Sequence, residues 1–380
     1  MKALICGLLK YPDGDGGAIR QEKLAKMMQK LGYDVLVIGM GKSTDEKVFY
    51  LDGIAFTSFK RANGDKISKV LSHLQYWAKL KNVMEHYQPD VVIMDDLGPI
   101  KTLRLKGYCK RNQIKLIHDS VEWYSPEQFA RGKCSAGYIK KDLLNRYLID
   151  KQCSVIAISS YLQKHFSNKG IACVNIPIVV TSNDLCQEKH LHKDVVTFTY
   201  AGQPGKKDYL HIILESFAQL DENELDKVRI NIVGCDEEQI LLNGTAPEIL
   251  EKVKCHTVYH GRVPHQRVLE LLKETDFTVL MRSSYQRYAK AGFPTKMVES
   301  LSRSTPMICN LTSDMGQYLV DGYNALLVKD CDSKQLVETI RRALSTCLDQ
   351  RMEMSNNAWK TAAEYFLCEK YLPVLKQLLS

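Results

Sequence analysis

The stretch YAKAGFPTKMVESLSRSTPMICN, Tyr288 to Asn310, reads as a helix whose start is aimed at an anion, followed by a buried strand. Pro294 suits the first helical position, where its missing N–H would be unpaired anyway. Gly292 and Phe293 before it leave the backbone free to approach a ligand, and the amides near Thr295 would face a phosphate. Glu299 follows about one turn in, on a helix that can bury Met297, Val298 and Leu301, and Pro306 to Cys309 reads as the next strand. A carboxylate there cannot bind phosphate, but it can accept hydrogen bonds from vicinal hydroxyls, as on a ribose. Phosphate amides with Glu299 suggest a nucleoside diphosphate. An ordinary capped helix with a solvated Glu is the competing reading of the string.

Working outward, strand-like and helix-like runs alternate along all 380 residues, the pattern of parallel α/β layers. In the first half strands are expected near Ala3–Leu9, Asp34–Gly39, Asp90–Met94, Ile114–His118, Ser154–Ile158 and Ala172–Ile176, with helices between them. A second cycle runs through Val195–Tyr200, Val228–Val233, His256–His260, Phe277–Met281, Met307–Cys309 and Ala325–Val328. The length is too great for one ordinary core. The expected division is a domain over residues 1–180, a polar linker over 181–194, a domain over 195–364, and a terminal helix over 365–380 that packs back on the first domain. Two such domains invite a working cleft between their sheets.

Composition is globular, with 45% hydrophobic and 25% charged residues and no apolar run long enough to span a membrane. The opening MKALICGLLK reads as a first strand rather than a signal peptide. Twelve cysteines, with no C-x-x-C pair, read as reduced thiols of a cytosolic protein, several of them buried, as at Cys6, Cys153 and Cys309. Charge is uneven: 28 Lys and Arg against 17 Asp and Glu through Val180, then 24 against 27. A basic first half fits an anionic acceptor or peripheral attachment to the inner face of an anionic membrane. It does not fit nucleic acid, because no stacking aromatics interleave the cations. The run Lys66 to Met84 could be a basic membrane-surface helix with Ile67, Val70, Leu71, Leu74, Trp77 and Ala78 on one face; an α/β layer helix is the favoured reading.

Three strings mimic motifs and fail. Gly39-Met-Gly-Lys42-Ser43 has Leu36 where a P-loop needs its first glycine, and Gly14-Asp-Gly16-Gly17-Ala-Ile19 has Ile19 at the third glycine of a dinucleotide fingerprint. Asp13 and Asp15 imitate an Asp-x-Asp metal pair but sit in the first loop and read as a turn. Other strand ends carry chemistry. Gly16 and Gly17 open a helix beside Arg20, and His118-Asp119 ends an apolar strand, where Asp119 could orient the imidazole or hold a substrate hydroxyl. Gly202-Gln-Pro-Gly-Lys206-Lys207 joins a strand to a helix with two ammonium groups suited to a diphosphate, and Arg282 ends a further strand.

The GDGG loop, LIHDSVEWYSPEQF, SVIAISSYLQKHF, YAGQPGKKD, HGRVPHQRV, GFPTKMVES and DGYNALLV, in this order and spacing, resemble the GT4-type retaining glycosyltransferases of the GT-B fold. The version with EWYSPEQF and GKKD looks most like bacterial enzymes of surface-polysaccharide assembly. The resemblance implies two Rossmann-like domains, with a nucleotide-sugar donor, UDP-linked first of all, on the second and a glycan or lipid-linked acceptor on the first. It implies Lys207 on the diphosphate, Glu299 on the ribose, and backbone near Arg262 and Val263 on the base. Amides at Gly17, Phe293 and Thr295 would mark the phosphate neighbourhood, and His118 the transferred sugar. No metal or other cofactor is implied. Two positions depart from the pattern: Ala291 stands where the first of two glutamates is usual, and Gln203 where many relatives carry an arginine, leaving Arg282 or Lys206 as substitutes. A nucleotide-sugar epimerase and a noncatalytic partner subunit are the alternatives.

Overall fold

The computed structural model describes residues 1–12, 16–41, 47–60, 66–203 and 207–380, with the side chains of 66–74 excepted. It divides into two units, 1–179 with 368–380, and 180–367.

The first unit is built on an eight-stranded sheet. Its strands are β1 (Lys2–Cys6), β2 (Asp34–Gly41), β3 (Phe49–Leu51), β4 (Ile54–Lys60), β5 (Val91–Met94), β6 (Lys115–Ser120), β7 (Ser154–Ala157) and β8 (Cys173–Asn175), in the order β3-β4-β2-β1-β5-β6-β7-β8. All pairs are parallel except β3 on β4. The second unit carries β9 (Val196–Ala201), β10 (Val228–Val233), β11 (Thr257–Gly261), β12 (Phe277–Leu280), β13 (Met307–Asn310) and β14 (Ala325–Val328), all parallel, in the order β11-β10-β9-β12-β13-β14. Strands such as VVIM and MICN are buried along their whole length, as parallel strands covered on both faces must be. Each sheet reverses its winding beside its first strand, between β1 and β5 in one unit and between β9 and β12 in the other. Ligand sites in open α/β sheets form at the carboxyl ends of such neighbouring strands, where the covering helices diverge.

The twelve expected strands are present within a few residues, and the structure adds the hairpin β3–β4. Its turn is Asp52-Gly53, both at positive φ (47° and 77°), the Asp-Gly signal of a two-residue hairpin. The helix Lys66–Tyr87 buries Tyr76, Leu80 and Met84 at four-residue spacing, so its described half is a layer helix. Ala78, expected on the apolar face, is exposed. The terminal helix Leu372–Leu379 returns to the first unit, burying Leu375 and Leu378 in a core with Ile176 and Val179. Residues 181–194 are a strap on the second unit. Lys189 donates to the Leu272 carbonyl at 2.7 Å, the Thr275 carbonyl at 2.5 Å and Thr305 Oγ1 at 3.0 Å.

Arg351 joins the helix Leu348–Tyr365 to the start of that sheet. It is 2% exposed, pairs with Asp276 at 2.5 Å, and donates to the His192 and Lys193 carbonyls at 2.9 and 3.0 Å. Removing one partner of a buried pair strands the other charge, at about 3–5 kcal/mol. Arg351→Met is therefore predicted to lower the unfolding free energy of the second unit by that amount, read from its urea transition, while the first unit's transition stays in place.

Candidate functional site

At the carboxyl edge between β9 and β12, three ionisable side chains converge. Asp208, 6% exposed, accepts from Arg282 Nε at 2.7 Å and from Tyr200 Oη at 3.1 Å, and it pairs with Lys296. Lys296 Nζ also lies 3.3 Å from Tyr200 Oη and 4.3 Å from its ring centroid. Burial works to raise the Asp208 pKa, but Lys296 and Arg282 outweigh it and hold the carboxyl well below the usual range. Burial dominates at Lys296 and lowers its ammonium, with Asp208 opposing that shift. Arg282 is fixed at its backbone as well, where Asn310 both accepts from its N–H (3.0 Å) and donates to its carbonyl (2.7 Å).

Gly202 makes this cluster possible. Its φ of 148° disfavours a side chain, and a Cβ there would collide with Lys296 Nζ and Cε. Gln203 next to it directs its amide oxygen at the Arg262 guanidinium, with Nε at 3.0 Å. Arg262 is exposed just past β11 and Val263 beside it is half-buried. The structure thus brings a guanidinium to the place where Gln203 lacks one. Lys207 is half-buried, and its carbonyl accepts from Tyr288 Oη at 2.9 Å. Lys206 lies outside the described residues.

The opening stretch keeps its outline, with one shift. The helix is Thr295–Ser302, and Pro294 occupies the capping position before it rather than the first helical one. No side chain caps this helix start. Gly292, at ordinary φ, ends the short helix Arg287–Ala291; Phe293 is buried against Tyr318 and Phe366, so only its backbone could meet a ligand. Ala291 is fully buried. Glu299 is one quarter exposed and accepts from His265 Nε2 at 3.2 Å, a bond that raises the His265 pKa. Lys296 and Asp208 were not among the residues expected from sequence. A signal existed for Lys296: a lysine in the first turn of a helix opposes the helix dipole and needs a nearby anion.

In the first unit Arg20 and Asp119 meet each other. Both are buried, and the guanidinium grips the carboxylate through Nε (2.8 Å) and Nη2 (2.7 Å) while donating to the Pro177 and Ile176 carbonyls at 2.9 and 3.1 Å. This pair ties the helix Gly16–Lys30 to β6 and to the chain after β8, so Asp119 is engaged by a cation and does not orient the His118 ring. Gly16 and Gly17 are half-buried at the start of that helix, while the Asp13–Asp15 string and Lys42-Ser43 lie outside the described residues. Gly39 has a packing reason: a Cβ there would stand 2.6 Å from Tyr11 Cβ. His118 is 3% exposed, and its Nδ1 has no hydrogen-bond partner among the described residues. Burial lowers its pKa against the pull of Asp119 and Asp96, so the neutral ring is favoured. Asp96 is bound by Lys141 at 2.7 Å and by the Gly98 N–H at 2.8 Å. Among the described residues no cluster of three or more His, Cys, Asp or Glu could hold a metal ion, and no helix is long and apolar enough to cross a membrane.

Residues 183–361 match the family model described as glycosyl transferases group 1. This segment is a glycosyltransferase group 1 domain. A Klebsiella pneumoniae protein described as an "Uncharacterized 41.2 kDa protein in cps region" is 23% identical over 207 residues, 51% of this chain and 53% of that protein. The match thus spans about half the length of that relative. Among solved structures, the sucrose-phosphate synthase of Thermosynechococcus elongatus superposes with a TM-score of 0.79 at 13% identity, covering 100% of this chain and 98% of the other. HepE of Anabaena in complex with UDP and glucose gives 0.71 at 13%, covering 100% and 99%. WaaG, a glycosyltransferase involved in lipopolysaccharide biosynthesis, gives 0.69 at 16%, covering 98% and 99%. These likenesses establish the GT-B glycosyltransferase fold for the whole chain.

Two measurements follow. Gly202→Ala should destabilise the second unit by about 1–3 kcal/mol from backbone strain and collision; in a Lys296→Ala background the collision part should vanish from the denaturant midpoint. Asp95, at the end of β5, has its carboxyl pushed up to about 7 by burial and by Asp119. With the folded pKa above the unfolded value of 3.8, the folded state holds the extra proton. That stability is complete below about pH 4 and is lost as pH rises through 7. Between pH 5 and 8 the wild type should lose more stability than Asp95→Asn, as read from urea midpoints at each pH.

Proposed function

We propose that this chain transfers a sugar, a hexose in the first instance, from a nucleoside-diphosphate donor to a glycan or lipid-linked glycan acceptor in surface-polysaccharide assembly. The observation that carries the reading is the cationic edge of the second sheet. Lys296 and Arg282 converge on one buried carboxylate, with Lys207 and the Arg262 guanidinium on neighbouring loops. Cations outnumber the carboxylate they share, and an uncapped helix start adjoins them, which suits a diphosphate. Glu299, one turn along the same helix, suits the ribose hydroxyls, with His265 holding its orientation. UDP in the complexes of the structurally similar HepE supports a uridine donor first among the alternatives. The cps-region description of the Klebsiella relative supports a surface polysaccharide as the destination.

The reaction proposed is GT4-like and retains configuration. The acceptor hydroxyl forms its bond to the anomeric carbon on the face from which the diphosphate departs. The C1–O bond to phosphate breaks, and the hydroxyl proton passes to the leaving phosphate oxygen. Lys296, Arg282 and Lys207 would stabilise the charge that grows on that oxygen, an effect felt more in turnover than in donor affinity. These fixed cations supply the positive potential without a metal. Neutral His118 is suited to a sugar hydroxyl, since its Nδ1 is unmet among the described residues. Arg20 and Asp119 act as positioning residues for the first sheet's edge. The work would take place at the cytoplasmic face of the membrane, with the basic first unit toward anionic lipid.

A panel of UDP-, GDP- and ADP-sugars, assayed for hydrolysis and transfer with and without EDTA, tests this. One donor should be turned over at an EDTA-insensitive rate, with Lys207→Ala lowering kcat at least tenfold. No turnover of any donor and no calorimetric binding of UDP or GDP would refute the proposal.

A further inference from the structure

The helix layer of the first unit shows apolar side chains that the unit does not bury. The crossovers from β5 to β6 and from β6 to β7 advance the same way across the sheet, so the helices Pro99–Arg111 and Ala136–Leu143 lie on one face of it. They are also tied side by side. Lys141 of the second helix reaches Asp96, just ahead of the first, at 2.7 Å, and Lys106 of the first donates to the Leu148 carbonyl at 2.7 Å. On the surface this pair presents, Ile100 and Tyr147 are each 70% exposed, Leu103 52%, Ile139 50% and Leu143 37%. One exposed apolar residue is ordinary, whereas five on two adjoining helices mark an interaction surface.

A π-helical turn, Leu144–Leu148, continues the second helix and lines three of these side chains up. Four residues overshoot one turn of an α-helix but fall short of one turn of a π-helix. The step from Ile139 to Leu143 and the step from Leu143 to Tyr147 therefore rotate in opposite senses and largely cancel. Continued as an α-helix, the chain would swing Tyr147 about 80° from Ile139. The carbonyls of the π turn are held in place: Lys169 donates to those of Arg146 and Ile149 at 3.1 and 2.8 Å, and His165 Nε2 lies 3.0 Å from that of Asn145. Such turns concentrate at functional sites.

Charge decides what covers this surface. Between Pro99 and Leu148 seven exposed residues are cations and one, Glu127, is an acid. Arg104, Lys110 and Arg111 flank the apolar residues on the first helix, Lys140 on the second, and Arg131 and Lys133 at the short turn before it. The seventh cation, Arg146, is held by Asp142 at 2.6 Å. An acidic protein would match these cations, but it would also need a shaped pocket for each apolar side chain. An anionic bilayer takes up apolar side chains on one surface whatever their spacing, and its headgroup phosphates meet long cations. The helix Lys66–Tyr87, whose sequence also suggested a membrane surface, turns Trp77 edge-on against Tyr108 of the first helix, with ring centroids 6.4 Å apart.

We propose that the outer surface of the helix Pro99–Arg111 and of residues 136–148 docks the first unit on an anionic phospholipid surface, with Ile100, Leu103, Ile139, Leu143 and Tyr147 inserted among the headgroups. It rests on the transferase reading only for its purpose, which is to bring the unit to a lipid-linked acceptor. The docking itself needs no donor.

Flotation of the full chain with vesicles of phosphatidylcholine alone, and of phosphatidylcholine mixed with phosphatidylglycerol, tests this. Wild type should float with the anionic vesicles and bind the neutral ones at least tenfold more weakly. Ile100→Ser with Leu103→Ser and Tyr147→Ser, and separately Arg104→Gln with Lys133→Gln and Lys140→Gln, should each weaken anionic-vesicle binding at least tenfold. Lys227→Gln with Lys252→Gln and Lys334→Gln, the same loss of charge on the second unit, should change it less than twofold. Every replaced side chain is exposed, so urea midpoints and UDP affinity should stay at wild-type values. Tyr147→Trp gives a readout that no folding defect imitates: its added emission, measured against wild type, should shift to the blue on anionic vesicles and not on neutral ones. No flotation of wild type with anionic vesicles would overturn the proposal and leave the surface to an acidic protein. Flotation that both triple variants leave unaltered would overturn it as well. Vesicle binding without UDP binding or turnover of any donor would refute the transferase reading and leave this docking surface standing; donor turnover without vesicle binding would do the reverse.

Discussion

Lys296 can lie where it does because Gly202 has no side chain and Asp208 has a charge. An ammonium placed at the start of a helix faces the helix dipole with the wrong sign, and partial burial strips it of water. The Asp208 carboxylate compensates both costs, and Arg282 shares the same carboxylate from the end of β12. The arrangement holds more positive than negative charge at a sheet edge, where backbone amides add to the field. The remaining features of the second unit serve it. Asn310 clamps the Arg282 backbone, Tyr200 sets the Asp208 oxygen, and Arg351 with Asp276 secures the helix that closes the unit.

The first unit uses charge differently. Arg20 and Asp119 neutralise each other in a buried bidentate pair, a rigid strut between a helix and the sheet. Gln21 and His118 keep buried polar atoms without a hydrogen-bond partner among the described residues of that unit. The carboxyl edge of the second sheet thus carries an excess of cations suited to phosphate, whereas the first unit pairs off its buried charges.

Much of the fold was legible because fully buried parallel strands appear as short apolar runs between helix-length segments, as VVIM and MICN do. The hairpin β3–β4 has only the Asp52-Gly53 turn to mark it in the sequence, since β3 is short and its Phe49, Tyr50 and Leu51 are exposed, which removes the usual apolar strand signal. The site was only partly legible. Glu299 and Arg282 could be placed by position at a helix start and a strand end. The partnership of Asp208 with Lys296, 88 residues away, and of Arg20 with Asp119, 99 residues away, leaves no trace in periodicity. Asp119 in particular reads as a ligand group until its cation is seen. The substitution Gln203 gains its meaning only with Arg262 beside it, because a glutamine amide can hold a guanidinium where another chain would carry its own.

The central claim is that Lys296, together with Arg282 and Lys207, receives the donor's diphosphate. Titration of UDP and of uridine into wild type and Lys296→Ala, followed by calorimetry at fixed low salt, tests it most directly. The account predicts that UDP binding weakens at least tenfold in the variant while uridine binding is unchanged. Equal losses for both ligands, or no loss for UDP, would contradict it.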